Sequence, residues 1–250
     1  MPRNLLALFL SCLVGMLALS ACGRARTLAE EGIVRLEQGR QTSALELFDR
    51  ALRSNPKEPL ALYGKGILLS EEQITEDIAR SMLTQATQQE KLSEKYRIKA
   101  YLRIAELAAS RNDRDATLQN LAKISITHPA VDPQVVRHIA SLYLQLKEKT
   151  RARDLLTTYR ESHPKDMETE YFLFRLYTLE LKDFKAAAKL CAKVNWKTAF
   201  PEKYDLNCAR VLASINDFPA ALELVNGYLT RKGANAEKNA HDLRDSIAKK

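Results

Sequence analysis

The amino-acid sequence predicts an all-α fold, a solenoid of helix-turn-helix units that ends in a C-terminal capping helix. Three observations support this prediction. Residues that favour helices are abundant, and the 250-residue chain has only 8 Gly and 8 Pro. Small residues recur in pairs about twelve positions apart, followed by bulky residues and often by a proline. Most of these units succeed one another at a spacing of roughly 34 residues, which is typical of helical repeats.

The first unit shows the pattern in full. Gly32 on a first helix is followed by Ala44 and Phe48 on a second helix, and Pro56 ends that helix because proline cannot continue it. Four later units repeat the frame. Their corresponding residues are Ala105, Thr117, Leu121, Ile124 and Pro129, then Ala140, Ala152, Leu156, Tyr159 and Pro164, then Arg175, Ala187, Cys191 and Val194, and finally Ala209, Ala221, Val225 and Tyr228.

The turns inside the units carry matching signals. They read Gln38-Gly39-Arg40, Asn112-Asp113-Arg114, Lys182-Asp183-Phe184 and Asn216-Asp217-Phe218. Two places depart from the frame. Gly66 is the candidate small residue of an intervening second unit, whose second helix is irregular and which runs about five residues long. Arg175 is large where a small residue is usual, so either the frame is displaced by one residue there or the helices splay.

This spacing resembles the tetratricopeptide repeat, a helix-turn-helix of 34 residues. The resemblance implies a right-handed superhelix of about six repeats within residues 22–235, with residues 236–250 forming a polar capping helix. Small residues let the two helices of a repeat approach closely. Because no single unit can bury its apolar face, the units must stack on one another.

The N-terminus carries a second pattern. An apolar run from Leu5 to Leu19 follows Arg3 and ends in Leu19-Ser20-Ala21-Cys22. This run is too short to span a bilayer comfortably, and its flanks are those of a secretion signal. It resembles a bacterial lipoprotein signal peptide. That resemblance implies removal of residues 1–21 and acylation of Cys22, with palmitate among the attached chains. A cleaved signal peptide with a chance cysteine is the alternative.

Lipidation would hold the mature protein to a membrane through its acyl chains. Gly23 follows the cysteine, at a position where an aspartate would suggest retention in the inner membrane of enterobacteria. By that analogy we expect a bacterial cell-envelope protein that is anchored to the outer membrane and faces the periplasm.

Composition limits the function classes. The formal net charge is +8, but basic and acidic residues are interleaved along the predicted helices. This pattern indicates a solvated surface more than a dedicated polyanion site, and export argues against nucleic acid as a partner. We find no catalytic motif, no phosphate-binding glycine loop and no metal-ligating cluster. The sequence therefore predicts a protein that is not an enzyme and needs no cofactor.

In such repeats the partner-binding groove is built largely from the first helix of each unit. Counting along those helices from the small residue gives the candidate groove residues Tyr63, Lys99, Arg103, Arg137, Ser141, Phe172 and Arg210. Lys99 and Arg103 resemble part of a carboxylate clamp that holds a peptide C-terminus, but Ala29, Ile33 and Gly64 occupy the positions nearest to its asparagines. Two interpretations stay open, ligand binding by these cations and simple solubilisation. Phe172, Leu176 and Leu179 fit a groove or the core between repeats.

Two cysteines remain after the signal peptide and Cys22. Cys191 lies on a second helix and Cys208 on the first helix that follows it. Repeat geometry places those helix faces in contact, so a disulfide and two buried thiols are both consistent with the sequence.

These observations favour a lipid-anchored scaffold that binds a protein or peptide partner in its groove. Pilotins of secretion or pilus systems and assembly factors for outer-membrane proteins belong to this general class. The alternative is an adaptor that recruits a cell-wall enzyme.

Overall fold

The computed structural model describes residues 23–129, 131–193 and 201–250. Every regular element in these ranges is helical, so the predicted all-α class is confirmed. The predicted signal peptide, the predicted lipidation site Cys22 and the frame residue Val194 lie outside the described residues. Within the described ranges, none of the helices has both the length and the apolar character that crossing a bilayer requires.

The chain divides into two compact units between Val131 and Asp132. The described residues of the first unit form three helix pairs. Helix α1 covers residues 23–37, and the following helices are α2 (Gln41–Ser54), α3 (Pro59–Leu69), α4 (Glu76–Thr87), α5 (Glu94–Ser110) and α6 (Arg114–Leu121). A 3₁₀ turn, Gln73–Thr75, precedes α4 and accounts for the irregular second repeat.

The described residues of the second unit contain three further pairs and a terminal helix. Its helices are α7 (Pro133–Gln145), α8 (Lys149–Ser162), α9 (Met167–Arg175), α10 (Phe184–Lys193), α11 (Pro201–Ser214), α12 (Phe218–Lys232) and α13 (Lys238–Ala248). Helix α13 buries Ala240 against Leu206 and Tyr228, and Ile247 against Ala209 and Val225. It thereby covers the apolar face that α11 and α12 leave at the end of the chain.

Left-handed residues close the turns inside the repeats. Gly39, Asn112, Lys147, Lys182 and Asn216 all have φ between 56° and 73°. Asparagine and glycine adopt this conformation most readily, which explains the recurrent signal in the sequence. In three of these turns, after Asn112, Lys182 and Asn216, the next residue is an aspartate that caps the following helix. Asp113, for example, accepts a hydrogen bond from the Ala116 backbone N–H at 3.0 Å, and Asp183 accepts one from Ala186 at 3.0 Å.

The predicted small residues lie where paired helices touch. Ala44, Ala105, Ala140, Ala152, Ala209 and Ala221 are fully buried. Gly66 has the same role in the second repeat, because a Cβ on it would lie 2.8 Å from Cγ of Leu83 on α4. At Gly66 the available room is therefore too small for a side chain.

Arg175 does not lie at a helix contact. It is exposed, and a π-helical turn, Leu176–Leu181, follows it and inserts an extra residue before α10. The frame is therefore displaced by one position, and the buried Phe174 stands where the other repeats have a small residue. A phenyl ring at this position is much larger than the small residues at the corresponding contacts of the other repeats, such as Ala105 and Ala140.

Candidate partner-binding cleft

The packing of the first unit depends on Phe48. Its ring, on α2, is fully buried between two glycines, Gly32 on α1 and Gly64 on α3. A Cβ on Gly32 would lie 2.5 Å from Cε1 of this ring, and a Cβ on Gly64 would lie 2.2 Å from Cζ. Because neither glycine has a side chain, the ring fills the space between α1 and α3 and holds them at a fixed separation.

The first helices of the three repeats border one cleft of about 1020 Å³, which we call the α1–α3–α5 cleft. Helix α1 forms one wall, the start of α3 and the loop before it form the floor, and the start of α5 with the loop before it forms the other wall. Ile33, Val34, Pro59, Leu60 and Tyr96 supply its apolar surface. Val34 is 49% exposed, which is unusual for a large apolar side chain in this protein.

Arg97 fixes the loop that forms the second wall. Its guanidinium donates hydrogen bonds to the backbone carbonyls of Gln89 and Leu92, each at 3.0 Å, and to that of Thr87. It also pairs with Glu94 at 3.3 Å. The α4–α5 loop thus has a defined position although it lies outside any helix. Sequence reasoning missed Arg97, because nothing in the repeat pattern marks an arginine that binds a neighbouring loop.

An aromatic pair supports the cleft from beneath. The rings of Tyr63 and Tyr96 are 5.0 Å apart, with Tyr63 buried and Tyr96 half-buried in the wall. Burial raises the pKa of both hydroxyls, and the nearby Glu37 carboxylate adds to the effect. The predicted groove residue Tyr63 supports the cleft from below, and Tyr96 presents an aromatic surface to its interior.

Charges of both signs surround this surface. Four carboxylates and four cations line the cleft, namely Glu30, Glu37, Glu58 and Glu90 with Arg26, Lys57, Lys91 and Lys95. Arg26 and Glu30 pair at 2.9 Å. Glu58 is buried, and this burial raises the pKa of its carboxyl although Asn55 Nδ2 donates a hydrogen bond to it at 3.2 Å. The cleft can therefore accommodate an extended segment that carries apolar and charged side chains.

Arg103, a predicted groove cation, is engaged in holding helices together. Its Nε donates to Ser70 Oγ at 2.7 Å, its Nη2 to the Ser70 carbonyl at 2.8 Å, and its Nη1 to Glu106 at 2.8 Å. Ser70 is the residue that caps the C-terminus of α3. Arg103 lines a separate polar cleft of about 600 Å³, at the other end of α3 and α5.

Lys99, one turn before Arg103, is exposed and forms no ion pair or hydrogen bond within the described part of the chain. Ala29 and Ile33 are buried in the core, and Gly64 packs against Phe48. Ala29 and Gly64 thus serve packing, whereas Ile33 also lines the α1–α3–α5 cleft.

The candidate groove residues of the second unit each have different contacts. Arg137 binds Glu168 at 2.7 Å and Thr169 Oγ1 at 3.2 Å, which ties α7 to the start of α9. The Ser141 hydroxyl donates to the Arg137 carbonyl at 3.0 Å. Arg210 is exposed and donates to Asn207 Oδ1 at 3.3 Å. Within this unit Arg137 is a structural cation, and Arg210 is a surface residue.

Phe172 is half-buried and lines a small cavity of about 110 Å³ beside Leu144 and Leu179. Leu176 and Leu179 were predicted together with Phe172 to lie in the groove or in the core between repeats. Leu176 belongs to the core, and Leu179 is 54% exposed. The three residues therefore divide between the core and the surface.

A disulfide joins Cys191 on α10 to Cys208 on α11, with their Cα atoms 5.9 Å apart. The Tyr204 hydroxyl donates to the Cys191 carbonyl at 3.0 Å and adds a second link between the same helices. Across residues 23–129, 131–193 and 201–250, no three His, Cys, Asp or Glu side chains are close enough together to hold a metal ion.

Comparison with known proteins identifies the repeat. Residues 30–73 match the family model described as "Tetratricopeptide repeat". No curated protein has a sequence that matches this chain.

Solved structures share its fold at low sequence identity. One, entitled "Structure of Naa15/Naa10 bound to HypK-THB", is 17% identical over 90% of this chain with a TM-score of 0.55. This chain spans only 34% of that protein's length. PilF of Pseudomonas aeruginosa is 13% identical, with 92% of this chain and 99% of PilF aligned at a TM-score of 0.54. A tetratricopeptide repeat protein from Parabacteroides merdae is 16% identical, with 90% and 86% aligned at 0.52.

Proposed function

Because the chain is a tetratricopeptide-repeat protein, we propose that it is a scaffold that binds a segment of a protein partner in the α1–α3–α5 cleft. The main support for this proposal is the set of side chains that line the cleft. The cleft contains an exposed apolar side chain, Val34, and an aromatic side chain in one wall, Tyr96. Acidic and basic side chains surround them. Protein-recognition surfaces have this composition, with aromatic and aliphatic anchors surrounded by polar residues.

The proposal includes a location. The Leu19-Ser20-Ala21-Cys22 pattern supports a lipid anchor on Cys22 and a place in the bacterial envelope, on the periplasmic face of the outer membrane. In that setting the partner is a component of outer-membrane, secretion or pilus assembly. A cell-wall enzyme as the captured partner would instead identify the protein as an adaptor.

Pull-down of the partner from envelope extracts tests the cleft. Val34→Glu places a carboxylate on its apolar surface and is expected to reduce recovery of the partner. Ile78→Glu is the matched control, because Ile78 on α4 is 55% exposed and lies outside the cleft. Equal recovery with both variants would contradict the proposed site.

Metabolic labelling with a palmitate analogue tests the anchor. Cys22→Ser is expected to abolish labelling, whereas Cys12→Ser, a change within the predicted signal peptide, should leave it intact. Labelling of the Cys22→Ser variant would contradict lipidation at this position.

A further inference from the structure

The second unit has a cleft that belongs to a different face of the repeats. It lies between α8 and α10, which are the second helices of consecutive pairs, and has a volume of about 400 Å³. We call it the α8–α10 cleft. The π-helical turn of the intervening pair borders this cleft, because Tyr177 of the turn is one of its lining residues. Such π turns are frequent at functional sites.

The floor of the α8–α10 cleft is apolar. Leu173 and Leu190 form its buried base, and the half-buried Tyr177 extends this surface towards solvent. Thr157 on α8 and Ala186 on α10 are small residues on the walls, so they leave the base accessible from outside.

The rim of the cleft is basic. Arg160 and Lys189 are its only charged lining residues among those described. Arg160 is partly neutralised by Glu170, whose Oε1 lies 3.8 Å from its Nη1. Lys189 is exposed and forms no ion pair within the described ranges. This balance differs from that of the α1–α3–α5 cleft, which has equal numbers of acidic and basic lining residues.

We infer that the α8–α10 cleft is a second docking site, and that it binds an acidic peptide segment through an apolar side chain flanked by carboxylates. The apolar side chain covers Leu173, Leu190 and Tyr177, and the carboxylates face Lys189 and Arg160. Charge complementarity decides the occupant, because a basic segment would meet like charges at the rim. This site is separate from the α1–α3–α5 cleft and does not depend on its function.

Fluorescence polarisation on the purified full chain tests the inference. The probe is a fluorescein-labelled peptide of alternating leucine and glutamate. We expect saturable binding that weakens as salt rises, because Lys189 on the rim is exposed to solvent. Lys189→Glu should weaken binding about tenfold, equivalent to about 1.4 kcal/mol. Lys185→Glu is the matched control, since Lys185 is an exposed lysine of the same helix outside the cleft.

A second peptide, with lysine in place of glutamate, tests the role of charge and is expected to bind far more weakly. Helical content by circular dichroism should be the same for both variants. The inference is overturned by comparable binding of the lysine peptide, by equal losses in the two variants, or by the absence of saturable binding. It is also overturned if amide signals of the α1–α3–α5 cleft shift on binding and those of Thr157 and Ala186 do not.

Discussion

The ring of Phe48 lies against the backbone of Gly64 so closely that a Cβ on this glycine would be 2.2 Å from the ring. Real Cβ atoms do not approach another carbon so closely. The ring is fully buried, and Gly32 encloses it from the other side. The positions of α1 and α3, and hence the geometry of the α1–α3–α5 cleft, depend on the absence of side chains at these two glycines.

Gly64→Ala is therefore expected to destabilise the protein, because the buried ring has little room to move. Overpacking of this kind costs about 1–3 kcal/mol. Gly227→Ala on α12 is the control. A Cβ there would approach nothing closer than 3.5 Å, so that variant should gain roughly 0.5–1 kcal/mol from its higher helix propensity. Urea denaturation measures both changes, and equal stability of the two variants would contradict the packing described.

Arg103→Ala is expected to loosen the contact between α3 and α5. The variant loses two hydrogen bonds to Ser70, including one to the carbonyl at the end of α3. Because the side chain is only partly buried, we expect a loss of about 1–2 kcal/mol in unfolding free energy. Lys99→Ala, on the same helix, should change it by less than about 0.5 kcal/mol. If both variants melt alike, Arg103 has no structural role.

Glu58→Gln is expected to alter how stability depends on pH. Burial raises the pKa of this carboxyl in the folded protein, so the folded state holds its proton more tightly than the unfolded state. Protonation of the Glu58 carboxyl therefore stabilises the folded protein. This stabilisation is complete below the pKa of the carboxyl in the unfolded state and is lost as pH rises through its pKa in the folded state. A neutral glutamine avoids this loss. The free energy of unfolding, measured from pH 4 to pH 7, should therefore fall less in the variant than in the parent, and parallel profiles would contradict this.

The Cys191–Cys208 disulfide closes a loop with a sequence separation of 17. In the chain-entropy model a crosslink of this length stabilises the protein by about 3 kcal/mol. Replacing both cysteines by serine should lower the unfolding free energy by about that amount and make stability insensitive to reductant. Mass spectrometry of thiol-blocked, non-reduced protein checks the bond directly, and two alkylated cysteines in freshly isolated material would show that it does not form.

The parts of the fold that follow local rules were predictable. The spacing from Ala140 to Ala152 indicates a helix pair because the contact is steric and local, and Asn112-Asp113 indicates a left-handed turn followed by a helix cap. The hydrogen-bond partners of the cationic side chains were less predictable. Arg103 binds Ser70, which lies 33 positions earlier in the chain, and Arg137 binds Thr169, 32 positions later. A repeat frame places a side chain on a helix face, but it does not show which polar group of the neighbouring repeat receives it.

The π-helical turn after Arg175 was also missed, and only the misfit of this arginine signalled it. One inserted residue hardly changes the amino-acid composition of a helix. It does, however, move every later residue to a different face of that helix. Tyr177 of this turn lines the α8–α10 cleft, and no motif in the sequence marked that cleft.

We propose that the α1–α3–α5 cleft holds a protein partner. Site-specific photocrosslinking in intact cells tests it most directly, with a photoreactive residue at Val34 or Tyr96 in the cleft, or at Ile78 outside it. The two cleft positions are expected to crosslink to the same envelope protein, whereas Ile78 is not. Crosslinking of that protein from Ile78 with equal yield, or no crosslinking from either cleft position, would contradict it.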